Sequence, residues 1–416
     1  MTSSGTHDII VIGAGIIGVT SALTLQKAGH KVLLLDRKGI AAETSRGNAG
    51  AFAYTDIEPL ATPGIMRKAP KWLLDPLGPL SLRPAYLPKI TPWMFHFWRA
   101  TAKSRYAAAV KAQSDLMHLS RQALERLIAS VDGEHLMRRE GQLQVYEGEA
   151  QFRATLPSWE LRRQHGIAFE LLESPEAIAD IQPGLDPRFT HAGYTPEWMN
   201  TVDPAKWTEF LAQKFTENGG EIDLADVRAL NPCVDGVDIE TANRTYHASQ
   251  VVVAGGAWSH HIARTLGERI PLETERGYNT TFPTANFNLR THVTFANHGF
   301  VVTKIGEGLR VGGAVELGGL SLPPNYKRAE ILVEKARTFL KGFEPKDGTQ
   351  WMGFRPSMPD SLPVIARAKK TDRVIYAFGH GHLGLTQSAG TAELVVSLAA
   401  RRTPEIPLTP FRADRF

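Results

Sequence analysis

Runs of aliphatic residues mark the beginning, the middle and the end of this chain. Asp8-Ile9-Ile10-Val11-Ile12 is bounded by polar residues and predicts a buried strand. Residues 16–28 carry helical spacing, and Gly29 stands where a helix C-terminal glycine belongs. Lys31-Val32-Leu33-Leu34-Leu35 is a second strand that ends at Asp36. Gln250-Val251-Val252-Val253-Ala254 and Val374-Ile375-Tyr376-Ala377-Phe378 are two more, and continuous aliphatic runs of this kind suit parallel strands buried on both faces. Between residues 270 and 315 the pattern changes to β segments at 277–282, 292–304 and 309–311, with a turn at Ile305-Gly306-Glu307-Gly308. That predicts an antiparallel sheet and a second domain. Residues 141–146 alternate like a strand, and helices are expected over 103–131, 152–166, 203–218, 327–342 and 385–401.

Two glycine turns interrupt the pattern. Gly13-Ala14-Gly15-Ile16-Ile17-Gly18 joins the first strand to the first helix. Gly13 permits the tight turn, Gly15 lets the backbone approach a pyrophosphate, and Gly18 allows close helix–strand packing. The helix N-terminus offers N–H groups and partial positive charge to phosphates, and Asp36 falls where an acid grips a ribose diol. This unit binds a dinucleotide, but does not by itself distinguish FAD from NAD. Gly379-His380-Gly381-His382-Leu383-Gly384 repeats the strand–glycine–helix construction near the C-terminus. Residues 41–53 are rich in Gly, Ala and Ser; Thr44, Ser45 and Asn48 offer hydrogen bonds, and Arg46 is a candidate phosphate partner.

Residues 59–92 hold eight prolines among Ile65, Met66, Trp72, Leu73, Leu74 and Tyr86, with Arg67, Lys68, Lys71, Arg83 and Lys89 interleaved; Trp93-Met94-Phe95-His96-Phe97-Trp98-Arg99 follows. The prolines argue against a long helix. Such an excursion suits either a membrane-surface or partner contact or a lid over the active site.

With 416 residues, two domains are the default. A formal charge of +4 gives no nucleic-acid footprint. The single cysteine, Cys233, excludes an intrachain disulfide framework, and no His/Asp/Glu spacing supports a metal. The polar start and the lack of an 18-residue apolar run predict a cytoplasmic protein without signal peptide or membrane span.

The segments Val11-Ile12-Gly13-Ala14-Gly15-Ile16-Ile17-Gly18, Thr44-Ser45-Arg46-Gly47-Asn48-Ala49-Gly50, Val253-Ala254-Gly255-Gly256-Ala257-Trp258-Ser259, Gly353-Phe354-Arg355-Pro356-Ser357-Met358-Pro359-Asp360 and Gly379 to Thr386 occur in a specific order. In these the chain resembles the FAD-dependent D-amino-acid oxidase superfamily over nearly its whole length, and most of all the bacterial D-amino-acid dehydrogenase branch. The resemblance implies an α/β protein: a Rossmann-like FAD domain of 1–57, 197–270 and 352–416, and an α+β substrate domain of 58–196 and 271–351 on a mainly antiparallel sheet. It implies FAD, expected to be non-covalent because Cys233 is not placed near the substrate sheet. Gly13, Gly15, Ile16, Ile17, Gly18, Asp36 and Arg37 would hold the ADP half, with Val227, Gly255 and Trp258 nearby. Ser45, Asn48, Ala49 and Gly50 would lie along the flavin, and Gly381, His382, Leu383, Gly384, Leu385 and Thr386 at its pyrimidine edge. Arg355 matches the family arginine that pairs with the substrate carboxylate.

Tyr278 and Tyr54 are candidate second carboxylate donors; His382 is a candidate proton handler, as is His380, and His298 a weaker pocket-wall candidate. The expected activity is oxidative deamination of a D-amino acid, or of a D-proline-type cyclic amine, by hydride transfer from Cα to flavin N5. Electrons pass to a quinone or another acceptor, with the protein cytoplasmic or at the inner face of the cell membrane. Competing readings are an O2-using glycine or sarcosine oxidase-like enzyme and a non-catalytic redox sensor. An NAD-dependent dehydrogenase has no use for the second glycine turn.

Overall fold

The aliphatic runs fold as parallel neighbours. The computed structural model describes residues 7–68, 75, 77–78 and 80–416; Pro70, Lys71, Trp72, Leu73, Leu74, Pro76 and Pro79 of the proline-rich excursion lie outside the described residues. His7–Ile12 runs between Val32–Asp36 and Thr245–Val253, and Glu221–Leu224 and Val374–Phe378 extend the sheet on either side, all parallel. Thr245–Val253 is long enough to serve two sets of partners. Its last residues pair Val374–Phe378, and its first pair an antiparallel meander of Val237–Thr241 and Val227–Pro232.

Alternation divides this sheet between two cores. Ile9, Val11, Leu34, Val252 and Ile375 face helices Ile16–Lys27, Pro204–Glu217 and Gly384–Ala399 and the end of Lys103–Val131. Ile10, Ile12, Leu33, Leu35, Val251, Val253 and Tyr376 face the meander and helix Ser259–Thr265. Burial on both faces explains the unbroken aliphatic sequences. Asp203 starts helix Pro204–Glu217 by accepting the N–H groups of Ala205 and Lys206.

A second sheet of nine strands stands over the carboxyl ends of the first. Its order runs Thr349–Ser357, Glu273–Phe282, Gly308–Leu317, Phe300–Ile305, His292–Phe295, Gln142–Glu147, Phe189–Thr195, Glu170–Leu172, with Leu80–Leu82 beside Gly308–Leu317. It is antiparallel except where His292–Phe295 meets Gln142–Glu147 and where Leu80–Leu82 joins. One face is apolar: Leu143, Val145, Val293, Phe295, Val302 and Val311 pack with helix Lys327–Phe339. The opposite parity is polar or small: Gln142, Gln144, His292, Thr294, Thr303, Arg310, Gly312, Asn279, Gly277, Gly353 and Arg355. A buried polar sheet face needs polar partners, and this one roofs a cavity.

The expectation that the prolines prevent a long helix is corrected. Leu87–Ala100 is helical over 14 residues. Pro88 sits in the first turn, where its missing N–H has no intrahelical acceptor to lose, and Pro92 forfeits a single bond near the same end. Ile90, Trp93 and Phe97 are buried beneath it, and the Trp93 indole N–H donates to the Ser357 carbonyl at 3.2 Å.

Candidate active site

Four strand ends open a cavity of about 410 Å³. The Asp36 carboxylate accepts the Ala14 N–H at 2.8 Å and the Lys38 and Gly39 N–H groups at 2.7 and 2.9 Å, so it fastens its own strand to the first glycine turn. Gly13 has φ +109°, and a Cβ there would lie 2.4 Å from the Ala254 carbonyl oxygen. A Cβ on Gly18 would overlap the Gly13 carbonyl, so Gly18 serves packing. Ser45 Oγ accepts the Ile16 N–H at 2.9 Å, placing the Ser45 loop on the helix start. At the other end, Gly379 (φ +86°) and Gly381 (φ +55°) form the second glycine turn, and Gly381 N–H donates to the Pro356 carbonyl. The helix beginning at Gly384 has no capping side chain.

Of the residues expected at the cofactor, Gly13, Gly15, Ile16, Ile17, Asp36, Arg37, Ser45, Asn48, Val227, Gly255, Trp258, Gly381, Gly384 and Leu385 line this cavity. Ala49 and His382 line the neighbouring one. Gly18, Gly50, Leu383 and Thr386 line neither. Thr386 Oγ1 instead accepts the Ala53 N–H at 2.9 Å, and Leu383 packs with Ile57, Met117 and Trp198. Arg37 lies 3.9 Å over the Trp258 ring and pairs with Glu43 at 2.8 Å. Arg46 is not a phosphate partner here: its guanidinium points to Glu209 at the surface.

The second cavity, about 280 Å³, shares Thr44, Asn48 and Gly381 with the first and is roofed by the polar face of the nine-stranded sheet. Arg355 reaches into it across Gly277, where a Cβ would meet the guanidinium carbon at 2.5 Å. One Arg355 N–H donates to the Ala314 carbonyl at 3.1 Å. Burial holds its pKa below the usual guanidinium value, offset by Glu275, and a guanidinium remains charged under such a shift. Trp351 lies against Gly47 and Gly353, closing one side.

Three tyrosine and histidine expectations are corrected. Tyr278 borders the second cavity, but its hydroxyl is engaged away from it, donating to Glu316 Oε2 at 2.6 Å and accepting the Asn325 N–H. The same buried Glu316 receives Arg83 at 2.7 Å and Arg276 at 3.4 Å. Tyr54 packs against the first core beside Phe52 and lines neither cavity. His298 pairs with Glu147 at 3.1 Å and lies over Phe339, outside both. His382 does line the second cavity, with its Nε2 3.8 Å from Asp56 Oδ2. Residues that sequence reasoning passed over are Arg310, His292, Gln142, Gln144 and Asn279; their signal was shared parity with Gly277, Gly312 and Gly353. Arg310 donates to the Arg46 and Asn48 carbonyls and to Thr281 Oγ1, tying the sheet to the 44–50 loop; burial brings its pKa down to about 10. Among the described residues Cys233, Asp238 and His247 also converge, on an exposed hairpin where His247 pairs with Asp238 at 2.8 Å.

His292 and His380 are buried, and burial pushes their pKa values down to about 4 and about 3. The native rings stay neutral where unfolded histidine protonates, below about 6.5. The unfolded state then binds more protons, so stability falls as pH drops from about 6.5 toward 4, by roughly 1.4 kcal/mol per pH unit for each ring. Urea unfolding between pH 7 and pH 4.5 should show this slope, and His380→Gln should remove one ring's share. An unchanged slope contradicts the assignment.

A dinucleotide fits the first cavity: two glycine turns present backbone, an acid ends the second strand, and two helix N-termini face inward. The sequence profile of the family described as FAD dependent oxidoreductase matches residues 8–398. The chain is 34% identical to a D-amino-acid oxidase of Bradyrhizobium diazoefficiens, covering 99% of each chain. It is 32% identical to a D-amino acid dehydrogenase of Agrobacterium fabrum, covering 98% of this chain and 99% of the relative. The solved glycine oxidase of Geobacillus kaustophilus superposes with a TM-score of 0.79 at 19% identity, covering 99% and 100% of the two chains. The cavity and the profile agree, and the chain belongs to the FAD-dependent oxidoreductase family.

Proposed function

We propose that this protein oxidises D-amino acids to imino acids, which water converts to 2-oxo acids and ammonia. The observation that carries the reading is the placement of Arg355: a half-buried guanidinium with few competing acceptors, in a cavity that shares walls with the cofactor cavity. Bound FAD supplies the acceptor for the Cα hydride. Arg355 grips the substrate carboxylate with two parallel N–H bonds. Trp351 and the polar sheet face exclude water and fix the Cα–H orientation. His382, paired with Asp56 at the cavity wall, is the candidate to take the amine proton. Gly13, Gly15, Asp36 and Arg37 hold the ADP half, and Ser45, Asn48, Gly381, Gly384 and Leu385 the flavin half. FAD is held non-covalently, since Cys233 lies on the exposed hairpin.

The relatives' names support the D configuration. We adopt the discontinuous division expected from sequence with one change. Arg355 lies in strand Thr349–Ser357, which pairs with Glu273–Phe282, so the last boundary falls after Ser357.

An oxidase using O2 is the second reading, favoured by the Bradyrhizobium relative's name. Oxidation of a D- and L-amino-acid panel with a quinone or dye acceptor, against peroxide release in air, tests both. We predict D-selective turnover with the dye. L-selective turnover would overturn the reading, and stoichiometric peroxide would establish the oxidase.

Helix Leu87–Ala100 presents Phe95 (52% exposed), Trp98 (55%) and Leu87 outward, flanked by Lys89 and Arg99. No helix among the described residues is long and apolar enough to cross a membrane. We assign this face to peripheral contact with an anionic bilayer, where an acceptor quinone resides. Sedimentation with anionic vesicles should fall at least several-fold in a Phe95→Ser/Trp98→Ser double variant; equal sedimentation contradicts the contact.

A further inference from the structure

We propose that Asn279 is a substrate-positioning residue whose side-chain oxygen receives the α-amino group, completing a clamp of which Arg355 is the carboxylate half. The inference rests on the reading that Arg355 holds the carboxylate. Asn279 is 4% exposed and lines the second cavity. Its Nδ2 donates to the Gly47 carbonyl at 2.9 Å. That bond fixes the amide, because turning it over would set two oxygens against each other. The Oδ1 atom is left buried with no hydrogen-bond partner among the described residues. Such an orphan acceptor is costly unless a ligand satisfies it.

The geometry says which ligand. Asn279 and Gly277 are alternate residues of one strand and share a face, and the Arg355 guanidinium lies on Gly277. Alternate positions are roughly 6.7 Å apart. An α-amino acid fits between them, with a guanidinium–carboxylate contact at one end and an N–H···O bond at the other, each about 2.9 Å. A neutral acceptor also suits the chemistry. The amine must be uncharged when hydride leaves, and a carboxylate at this position would favour the ammonium form. An amide oxygen accepts from either form. The Gly47 carbonyl ties Asn279 to the 44–50 loop that lines both cavities, so the clamp is registered against the cofactor side.

The holoenzyme with two unreactive ligands tests this. 2-Aminoisobutyrate has no Cα–H, and isobutyrate keeps a Cα–H but has no amine to push electrons as hydride leaves. Binding of each is read from perturbation of the flavin spectrum. Asn279→Leu should weaken 2-aminoisobutyrate about 10- to 100-fold and leave isobutyrate unchanged. Equal losses for both ligands, or no loss, would overturn the proposal. Arg355→Ala should weaken both ligands. If it weakens neither while Asn279→Leu acts selectively, the carboxylate assignment fails and that of Asn279 stands. Should Asn279→Leu not retain FAD, Asn279→Asp decides. The added charge should move the acid limb of the kcat–pH profile up by about one unit, and an unmoved limb would overturn the proposal. The other charged and titratable groups around the site, Arg310, Arg355, Glu275, Asp56, His292 and His382, are the same in both proteins.

Discussion

Arg355→Ala should raise KM for amino-acid substrates by two to three orders of magnitude while FAD stays bound. The guanidinium lies over Gly277, half-buried, and gives one N–H to the Ala314 carbonyl, so most of its donor capacity is open to a carboxylate. Truncating one partner of a buried, hydrogen-bonded charge pair costs about 2–5 kcal/mol, and about 1.4 kcal/mol is tenfold. The loss falls mainly on KM, because the carboxylate is held alike in ground and transition states. Arg355→Lys should recover only part of the affinity, since an ammonium cannot reproduce the planar fork. Steady-state kinetics with a flavin-to-protein absorbance ratio measures both halves. Unchanged KM removes Arg355 from the carboxylate site.

Gly13→Ala should yield protein largely free of FAD. The new Cβ would lie 2.4 and 2.7 Å from the Ala254 carbonyl oxygen and carbon, at a φ of +109°. Both clashes are with backbone at the end of a central strand, so no side chain can rotate away. The strain alone costs on the order of 1–3 kcal/mol. Relief requires separating strand ends His7–Ile12 and Thr245–Val253, which carry the two walls nearest the first glycine turn. The protein should remain helical by circular dichroism yet purify pale, with a lowered Tm. A full complement of FAD at unchanged Tm would contradict this.

The cofactor half of the molecule was legible because its signals are local. Strand, glycine turn, helix and acid fall within forty residues, and each residue's job follows from its immediate neighbours. Arg355 was reached through a motif resemblance rather than from spacing. The substrate roof was half legible. Alternation at 141–146 and 277–282 predicted strands, but not which parity faces the site. That depends on the pairing of His292–Phe295 with Gln142–Glu147, roughly 150 residues apart in sequence, and a shift of one residue exchanges the faces. Tyr278 was a candidate because a tyrosine hydroxyl can donate to a carboxylate, yet its hydroxyl belongs to the Glu316 side. Glycine parity was the unused clue. Gly277, Gly353 and Gly312 mark the face where a ligand or backbone comes close, and Asn279 shares it. Tyr54 failed differently, since the short strand Ala51–Phe52 turns its continuation into the first core.

The proline-rich excursion was ambiguous because one helix carries both a buried and an exposed apolar face. Trp93 and Phe97 pack inward with Leu82, Ile90 and Leu317, and the Trp93 indole N–H reaches the Ser357 carbonyl, while Phe95 and Trp98 face outward. Periodicity within 87–100 contains both stripes, but prolines at 88 and 92 obscured the helix that separates them.

The central claim is that electrons leave a D-amino acid at the junction of the two cavities. Anaerobic mixing of the purified FAD-loaded protein with D- and L-enantiomers of the same amino acids tests it most directly. The account predicts that the D-enantiomers bleach the oxidised flavin band and the L-enantiomers do not. A flavin that no amino acid bleaches, or that only L-enantiomers bleach, would contradict it.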